Sequence, residues 1–339
     1  MTQFQGSHIL SVNQLDLHAI DTIFNVATQM TPYALRQKRT RVLDGAVLGN
    51  LFFEPSTRTR VSFGCAFNLL GGNVRETTGM ASSSLSKGES LYDTARVLST
   101  YSDVIAMRHP DPFSVQEFSE GSRVPVINGG DGANEHPTQA LLDLFTIQKE
   151  LAAGGRNING LHIAMVGDLR FGRTVHSLSR LLCMYTNVTF TLVSPKELSM
   201  PETVLADIEK AGHRIHITDQ LEGHLDKADI LYLTRIQEER FPSQEEANKY
   251  RGKFRLNKGI YTQHCKSNTV IMHPLPRDSR AAANELDNDL NSHPNLAIFR
   301  QADNGLLIRM ALFALTLGVD KQLTQYECPV NWYSRKADF

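Results

Sequence analysis

No excess of either charge marks this chain: 35 Lys and Arg stand against 36 Asp and Glu, a net charge of −1. That balance excludes a globally basic face for nucleic acid or an anionic membrane. Any anion site must then be a local gathering of cations. Cysteine is scarce too. The 4 cysteines, Cys65, Cys183, Cys265 and Cys328, are scattered without metal-ligand spacing, which excludes a disulfide scaffold and a zinc knuckle. They read as reduced, mostly buried thiols of a cytoplasmic protein. No apolar run is long enough to span a bilayer. No basic stretch followed by an apolar core opens the chain, so no signal peptide is expected. The glycine fingerprint of a dinucleotide site is missing, and so is any short repeat or low-complexity tract.

What remains is a chain of 339 residues, 41% hydrophobic and 21% charged, long enough for two cores. Short apolar runs alternate with helical patterns. Val47–Phe53 reads as a strand, and a helix follows Ser56, with Val61, Ala66, Leu69 and Leu70 near one face and Gly71-Gly72 stopping it. Helix Leu91–Tyr101 leads to strand Val104–Met107, and strand Val124–Ile127 leads to helix Thr138–Leu151. Beyond the small, polar stretch Ala152–Asn157 the alternation resumes, with strands Leu161–Val166, Val188–Val193, Arg214–Ile217, Ile230–Leu233 and Val270–Met272. The pattern predicts an α/β chain of two doubly wound domains, each a central parallel sheet flanked by helices. The first spans residues 1–152, the second 153–301, and apolar Leu306–Leu317 predicts a helix within about 302–320 returning to the first domain. Residues 321–339 form a tail that holds the sole tryptophan, Trp332.

In open parallel sheets, ligands bind beyond the carboxyl ends of the strands, and polar clusters fall at those ends one after another. Phe53-Glu54-Pro55-Ser56-Thr57-Arg58-Thr59-Arg60 follows the first strand. Proline belongs in a first helical turn, where backbone N–H groups lack intrahelical partners and the dipole is positive. Adding Ser56, Thr57, Thr59 and the Arg58 fork makes a phosphate cradle. Arg108 ends the next strand. Gly129–Gln139 follows another, with His136 and Gln139 at a helix start, suited to polarising a carbonyl oxygen. Ser82–Ser90 reads as a mobile polar loop in which Lys87 offers a point charge.

In the second half, Gly167–Thr174 opens a helix, Thr234–Arg240 follows a strand, and His273-Pro274-Leu275-Pro276-Arg277 forms a rigid turn that can hold a cis X-Pro bond. Arg173 and Arg235 match a dicarboxylate bidentately. Glu54, Arg240 and Arg277 are alternatively partners in interdomain ion pairs. No nucleophile–base pair is evident, and His136, His273 and Asp168 stand alone in their turns, so no metal site is expected. The residue set suits orientation and charge stabilisation without a covalent intermediate.

Ser-Thr-Arg-Thr-Arg after a strand, His-Pro-Thr-Gln at a helix start and His-Pro-Leu-Pro-Arg late in the chain, in this order, resemble the transcarbamoylase family over roughly residues 7 to 320. The resemblance implies transfer of a carbamoyl group from carbamoyl phosphate to the amine of L-aspartate, an early step of pyrimidine synthesis, with no cofactor. Ser56, Thr57, Arg58 and Thr59 would hold the phosphate, and Arg108, His136 and Thr59 would polarise the carbamoyl oxygen. Gln139 and the carbonyls of Pro274 and Leu275 would hold the carbamoyl amide. Arg173, Arg235 and Gln237 would bind the aspartate carboxylates. Ser84 and Lys87 would reach a neighbouring subunit's site, making the active unit a homotrimer with shared sites. Arg58, Thr59, Arg108, His136 and Lys87 would be the catalytic group. Glu54, paired with Arg173 or Arg240, would favour a closed state.

The polar loop offers one lysine where some members have two, so the choice between Ser83 and Ser84 is open. The tail, and whether a regulatory chain binds, are open as well. The nearest rival is an ornithine carbamoyltransferase, which carries cysteine where this chain has Pro274. A non-catalytic anion-binding protein of the same fold is the rival from another class.

Overall fold

The structure, a computed structural model, describes residues 4–79, 84–238, 241, 243–280 and 283–333, with the side chains of residues 84, 85 and 244 excepted. It divides into two compact units, Met1–Leu141 with Asp303–Phe339, and Leu142–Ala302. The divisions fall inside two helices, where the sequence pattern suggested the loop after Ala152.

Unit 1 begins with α1 (Leu17–Gln29), α2 (Thr31–Ala34) and β1 (Arg39–Thr40). The alternation follows: β2 (Val47–Phe52), α3 (Thr57–Leu69), β3 (Asn73–Thr78), α4 (Leu91–Leu98), β4 (Val104–His109), α5 (Ser114–Gly121), β5 (Val126–Asp131) and the first turn of α6 (Pro137–Ala153). Its parallel sheet has the order β3-β2-β4-β5. The two central strands read as apolar runs because both faces are covered. Edge strand β3 carries Arg75 and Glu76, exposed charges that discourage edge-to-edge pairing. Leu51, Ile105, Met107 and Val126 of the sheet pack on Ala95, Val115 and Phe118 of α4 and α5. On α3 the buried face is Phe63, Gly64, Ala66 and Phe67, while Val61 is 54% exposed, so the sequence reading had the helix face rotated.

Unit 2 continues from α6 into β6 (His162–Val166), α7 (Arg173–Leu182), β7 (Thr189–Val193), α8 (Glu202–Lys210), β8 (Arg214–Thr218) and β9 (Ile230–Leu233). After α9 (Gln244–Asn248), α10 (Lys258–His264) and β10 (Val270–Met272), α11 (Ile298–Thr316) carries the chain back into unit 1. The parallel sheet runs β10-β9-β6-β7-β8. Ala164, Val166, Leu231, Leu233 and Ile271 form its core with Tyr261, Leu286 and Ile298. Helices α1, α5, α8 and α10 and strand β3 have no counterpart in the sequence reading; α8 buries only Val204 and Ile208, and α10 only Tyr261.

The tail is placed as far as residue 333. Its β11 (Glu327–Cys328) pairs antiparallel with β1. Glu327 accepts hydrogen bonds from Tyr33 Oη at 2.6 Å and Lys38 Nζ at 3.1 Å, and Arg39 lies over the Trp332 ring at 5.6 Å. All four cysteines are free and half-buried, where full burial was expected for most. Burial pushes the Cys183 and Cys265 thiols up to about 11, which leaves them unreactive. Among the described residues, no helix is long and apolar enough to cross a membrane.

Candidate functional site

Each of the two parallel sheets has one topological switch point, where strand order reverses and loops part to opposite faces. In unit 1 it lies between β2 and β4, and the loops leaving it are Phe53–Ser56 and the turn after His109. Strand β2 delivers Ser56 as the N-cap of α3 in extended backbone, φ −162° and ψ 98°, yet its hydroxyl makes no capping bond. The first-turn N–H groups of α3 have no partner inside the helix, and Ser56, Thr57 and Thr59 place three hydroxyl-bearing residues at the same helix end. Thr57 and Arg58 are exposed and Ser56 and Thr59 half-buried. Arg60 turns away: it meets Glu76 of β3 at 2.6 Å, and its carbonyl accepts from Asn50 Nδ2 at 3.1 Å.

Arg108 reaches the same switch point from β4. The parallel register sets Phe52 opposite Arg108, and Phe53 N–H donates to the Arg108 carbonyl at 2.9 Å. Two residues on from Phe52, the Glu54 carboxylate meets Arg108 Nε at 2.8 Å, with both side chains largely buried. Glu54 therefore grips Arg108 within unit 1, a partner that the sequence reading did not name for it. Arg240 itself lies outside the described residues.

Strand β5 is bulged against β4. Met107 faces Asn128 and His109 faces Asp131, so Gly129-Gly130 supplies one residue too many. Gly130 sits at φ +117°, which only glycine adopts readily. The buried Asp131 carboxylate accepts from Asn128, Asn134 and the N–H groups of Phe113 and Glu135 at 2.9 to 3.1 Å. This network fixes the turn that brings buried His136 and half-buried Gln139 to the start of α6. Neighbouring His109 is held neutral by burial, its Nδ1 accepting from Asp111 N–H at 3.1 Å. In the polar loop, Ser84–Lys87 forms a single 3₁₀ turn with Lys87 exposed. Ser83 and the Ser84 side chain lie outside the described residues.

In unit 2 the switch point is between β6 and β9. Gly167 ends β6 at φ +113°, and a Cβ there would lie 2.3 Å from the Thr234 carbonyl. The loop ends of β6 and β9 touch through this missing side chain. Asp168, fully buried, accepts from Phe171 N–H at 2.9 Å and Gln237 N–H at 3.3 Å, tying the loop before Arg173 to the loop that carries Arg235. Sequence reading passed Asp168 over as a lone carboxylate in its turn. Arg173, 8% exposed, opens α7, and one turn later His176 Nε2–H donates to the Leu169 carbonyl at 2.7 Å. Burial pulls the His176 pKa down to about 4.

After β10, Leu275 N–H donates to His273 Nδ1 at 2.8 Å, which leaves the ring proton on Nε2 to donate to Glu285 at 2.7 Å. Glu285 also accepts from Asp278 N–H at 3.2 Å. Leu275 takes a left-handed φ of 57°, and the Leu275–Pro276 bond is cis. The Pro274 and Leu275 carbonyls thus sit on a turn held from both sides. Glu285 and Asp168 are the residues sequence reasoning missed, and no motif marks either. Arg277 bonds Asn291 at 2.9 Å and lies over Phe299, inside unit 2. Glu238 meets Arg251 at 2.8 Å and Arg280 at 3.0 Å.

The fold thus gathers two sets of donor-bearing residues, one at each switch point. Unit 1 holds donors suited to a phosphate and a carbonyl oxygen, and unit 2 holds two arginines suited to carboxylates. Among the described residues, no three or more His, Cys, Asp or Glu side chains are grouped to hold a metal ion.

Comparison with known proteins also divides the chain in two. Residues 7–149 match the family described as aspartate/ornithine carbamoyltransferase, carbamoyl-P binding domain, and residues 159–316 match its Asp/Orn binding domain. The aspartate carbamoyltransferase catalytic subunit of Cellvibrio japonicus is 69% identical over 331 residues, 98% of each chain. That of Saccharophagus degradans is 68% identical over 335 residues, 99% of each. Among solved structures, aspartate transcarbamoylase from Trypanosoma cruzi in complex with carbamoyl phosphate and aspartate is 37% identical. It superposes with a TM-score of 0.84, covering 93% of this chain and 98% of that one.

Proposed function

Because the chain belongs to the aspartate/ornithine carbamoyltransferase family, we propose that it transfers the carbamoyl group of carbamoyl phosphate to L-aspartate, giving N-carbamoyl-L-aspartate and phosphate for pyrimidine synthesis. The observation that carries this reading is the pairing of donor sets with switch points. Cradle and Arg108 flank β2 and β4, and Arg173 and Arg235 flank β6 and β9. Two anionic substrates of different shape account for two different donor sets.

In unit 1 the first turn of α3, with Ser56, Thr57, Arg58 and Thr59, holds the phosphate. Arg108, Thr59 and His136 polarise the carbamoyl oxygen, while Gln139 and the Pro274 and Leu275 carbonyls hold its amide. Arg173, Arg235 and Gln237 bind the aspartate carboxylates. The aspartate amine attacks as the neutral base, and its nitrogen bonds to the carbamoyl carbon. The oxyanion that develops is stabilised by donors already in place, usually the greatest single contribution to catalysis in reactions of this kind. The bond from carbon to the phosphate oxygen then breaks, and the departing phosphate takes the amine proton. No side chain needs to form a covalent intermediate. We assign Glu54 to holding Arg108, and its pairing with Arg173 or Arg240 to favouring the closed state.

We further infer a cytoplasmic homotrimer in which Ser84 and Lys87 act in the neighbouring subunit's site. The two cationic clamps of unit 2 favour aspartate over the cationic side chain of ornithine. The test is to incubate the purified chain with carbamoyl phosphate and either amino acid and to assay the ureido product. Product from aspartate alone is expected. Product from ornithine alone identifies the rival transferase, and none from either points to a non-catalytic anion-binding protein. A native mass of three chains is expected for the trimer, and a monomeric mass would refute it.

A further inference from the structure

Resting on that reading, we propose that Asp143 is a positioning residue, and that a buried hydrogen-bond chain through it holds the aspartate clamps and the Pro274–Leu275 turn in register. Asp143 lies on α6 within unit 2, and its side chain is fully buried. Tyr232 Oη donates to its Oδ2 at 2.7 Å, and Gln301 Nε2 donates to its Oδ1 at 2.6 Å. Gln301 Oε1 in turn accepts the backbone N–H of His273 at 2.9 Å. That bond fixes which way the amide faces, because only an oxygen can accept from an N–H.

At the other end, the Tyr232 hydroxyl is also hydrogen-bonded by the side chain of Thr174, the residue after Arg173. Tyr232 is the third residue of β9, three before Arg235. The chain Thr174–Tyr232–Asp143–Gln301–His273 therefore touches the helix start that carries Arg173, the strand that delivers Arg235 and the turn whose carbonyls are assigned to the carbamoyl amide. None of its central members lies in a substrate-binding motif. A buried polar chain of this kind is costly unless every member is satisfied, and an apolar core would pack as well without it. What it adds is one geometry for three turns.

The hydrogen-bond polarity provides the test. Asp143→Asn leaves one acceptor oxygen where Tyr232 and Gln301 both donate, so one of the two bonds is lost whichever way the new amide faces. Gln301→Glu sets two carboxylates together. The double variant, Asp143→Asn with Gln301→Glu, restores the pattern. Tyr232 then donates to the oxygen of the new amide, the NH₂ of that amide donates to the new carboxylate, and the carboxylate accepts His273 N–H. Steady-state kinetics with each substrate varied, together with thermal melting, are measured for both single variants, the double variant and Tyr232→Phe. Each single change and Tyr232→Phe are expected to raise KM for aspartate roughly tenfold or more, the scale of a misplaced binding group, and the changes at Asp143 and Gln301, which also loosen the Pro274–Leu275 turn, to raise KM for carbamoyl phosphate as well. The double variant is expected to recover most of the loss. Variants that melt lower but keep the parent KM for aspartate, or a stably folded double variant that recovers nothing, would overturn the proposal. A parent chain that makes no ureido product from aspartate would instead overturn the functional reading beneath it.

Discussion

Arg108 is a strand-end arginine, a position where an isolated ion pair contributes little. Its partner Glu54 is only 23% exposed and the arginine 12%, so the pair is shielded and holds one geometry. Arg108→Ala is expected to lower kcat roughly 10²–10³-fold, the loss that follows removal of a preorganised oxyanion donor. Arg108→Lys should recover little, since an ammonium lacks the fork that Glu54 grips. Glu54→Gln is expected to cost roughly tenfold in kcat, because the guanidinium loses its charged anchor but remains present. Ureido-product kinetics on each variant check these values, and a Glu54→Gln enzyme with parental kcat would refute the anchoring role. The chemistry of Arg108 was legible in sequence because it is local. Its partner was not, because strand register chose it.

Among the elements, the loops after β6 and β9 depend on a residue with no side chain. A Cβ at Gly167 would meet the Thr234 carbonyl at 2.3 Å and the Thr234 hydroxyl at 2.8 Å, and φ of +113° is hostile to L residues. Gly167→Ala is expected to destabilise the protein by about 2–5 kcal/mol, from backbone strain plus overpacking. The folded remainder should also show a raised KM for aspartate, since the loops bearing Arg173 and Arg235 part. Urea unfolding and steady-state kinetics test both halves, and a variant with unchanged midpoint would show that the contact can relax. Strand cores such as Ile230–Leu233 and Val270–Met272 were readable to the residue, because buried parallel strands are continuous apolar runs. Helix α5 was not: Ser114–Gly121 includes two serines and a glycine, and its helicity comes from packing Val115 and Phe118.

For the molecule as a whole, stability should depend on acid through His176. Its pKa is about 4 in the folded chain against 6.5 in a free imidazole, because burial disfavours the charge. The unfolded chain therefore binds an extra proton between those values. The contribution is whole above pH 6.5, shrinks as pH falls and is lost near pH 4, amounting to about 3 kcal/mol. His176→Gln keeps an N–H for the Leu169 carbonyl but does not titrate. It is expected to flatten the fall of the urea midpoint across that window, and an unchanged pH profile would assign the fall to other groups.

The chemistry of the donor sets and the alternation that makes two parallel sheets are written in the order of residues alone. Both occupy short spans: a phosphate cradle needs one helical turn, and a strand or helix shows its period within a dozen residues. Folding in three dimensions chose which carboxylate grips Arg108, which buried acids tie the loops together, and where Gln301 meets Asp143, 158 residues away in the chain. Those choices follow from register and burial. A hydrogen bond between distant residues leaves no local period, and its partners become obligatory only when folding removes the water that would otherwise satisfy them.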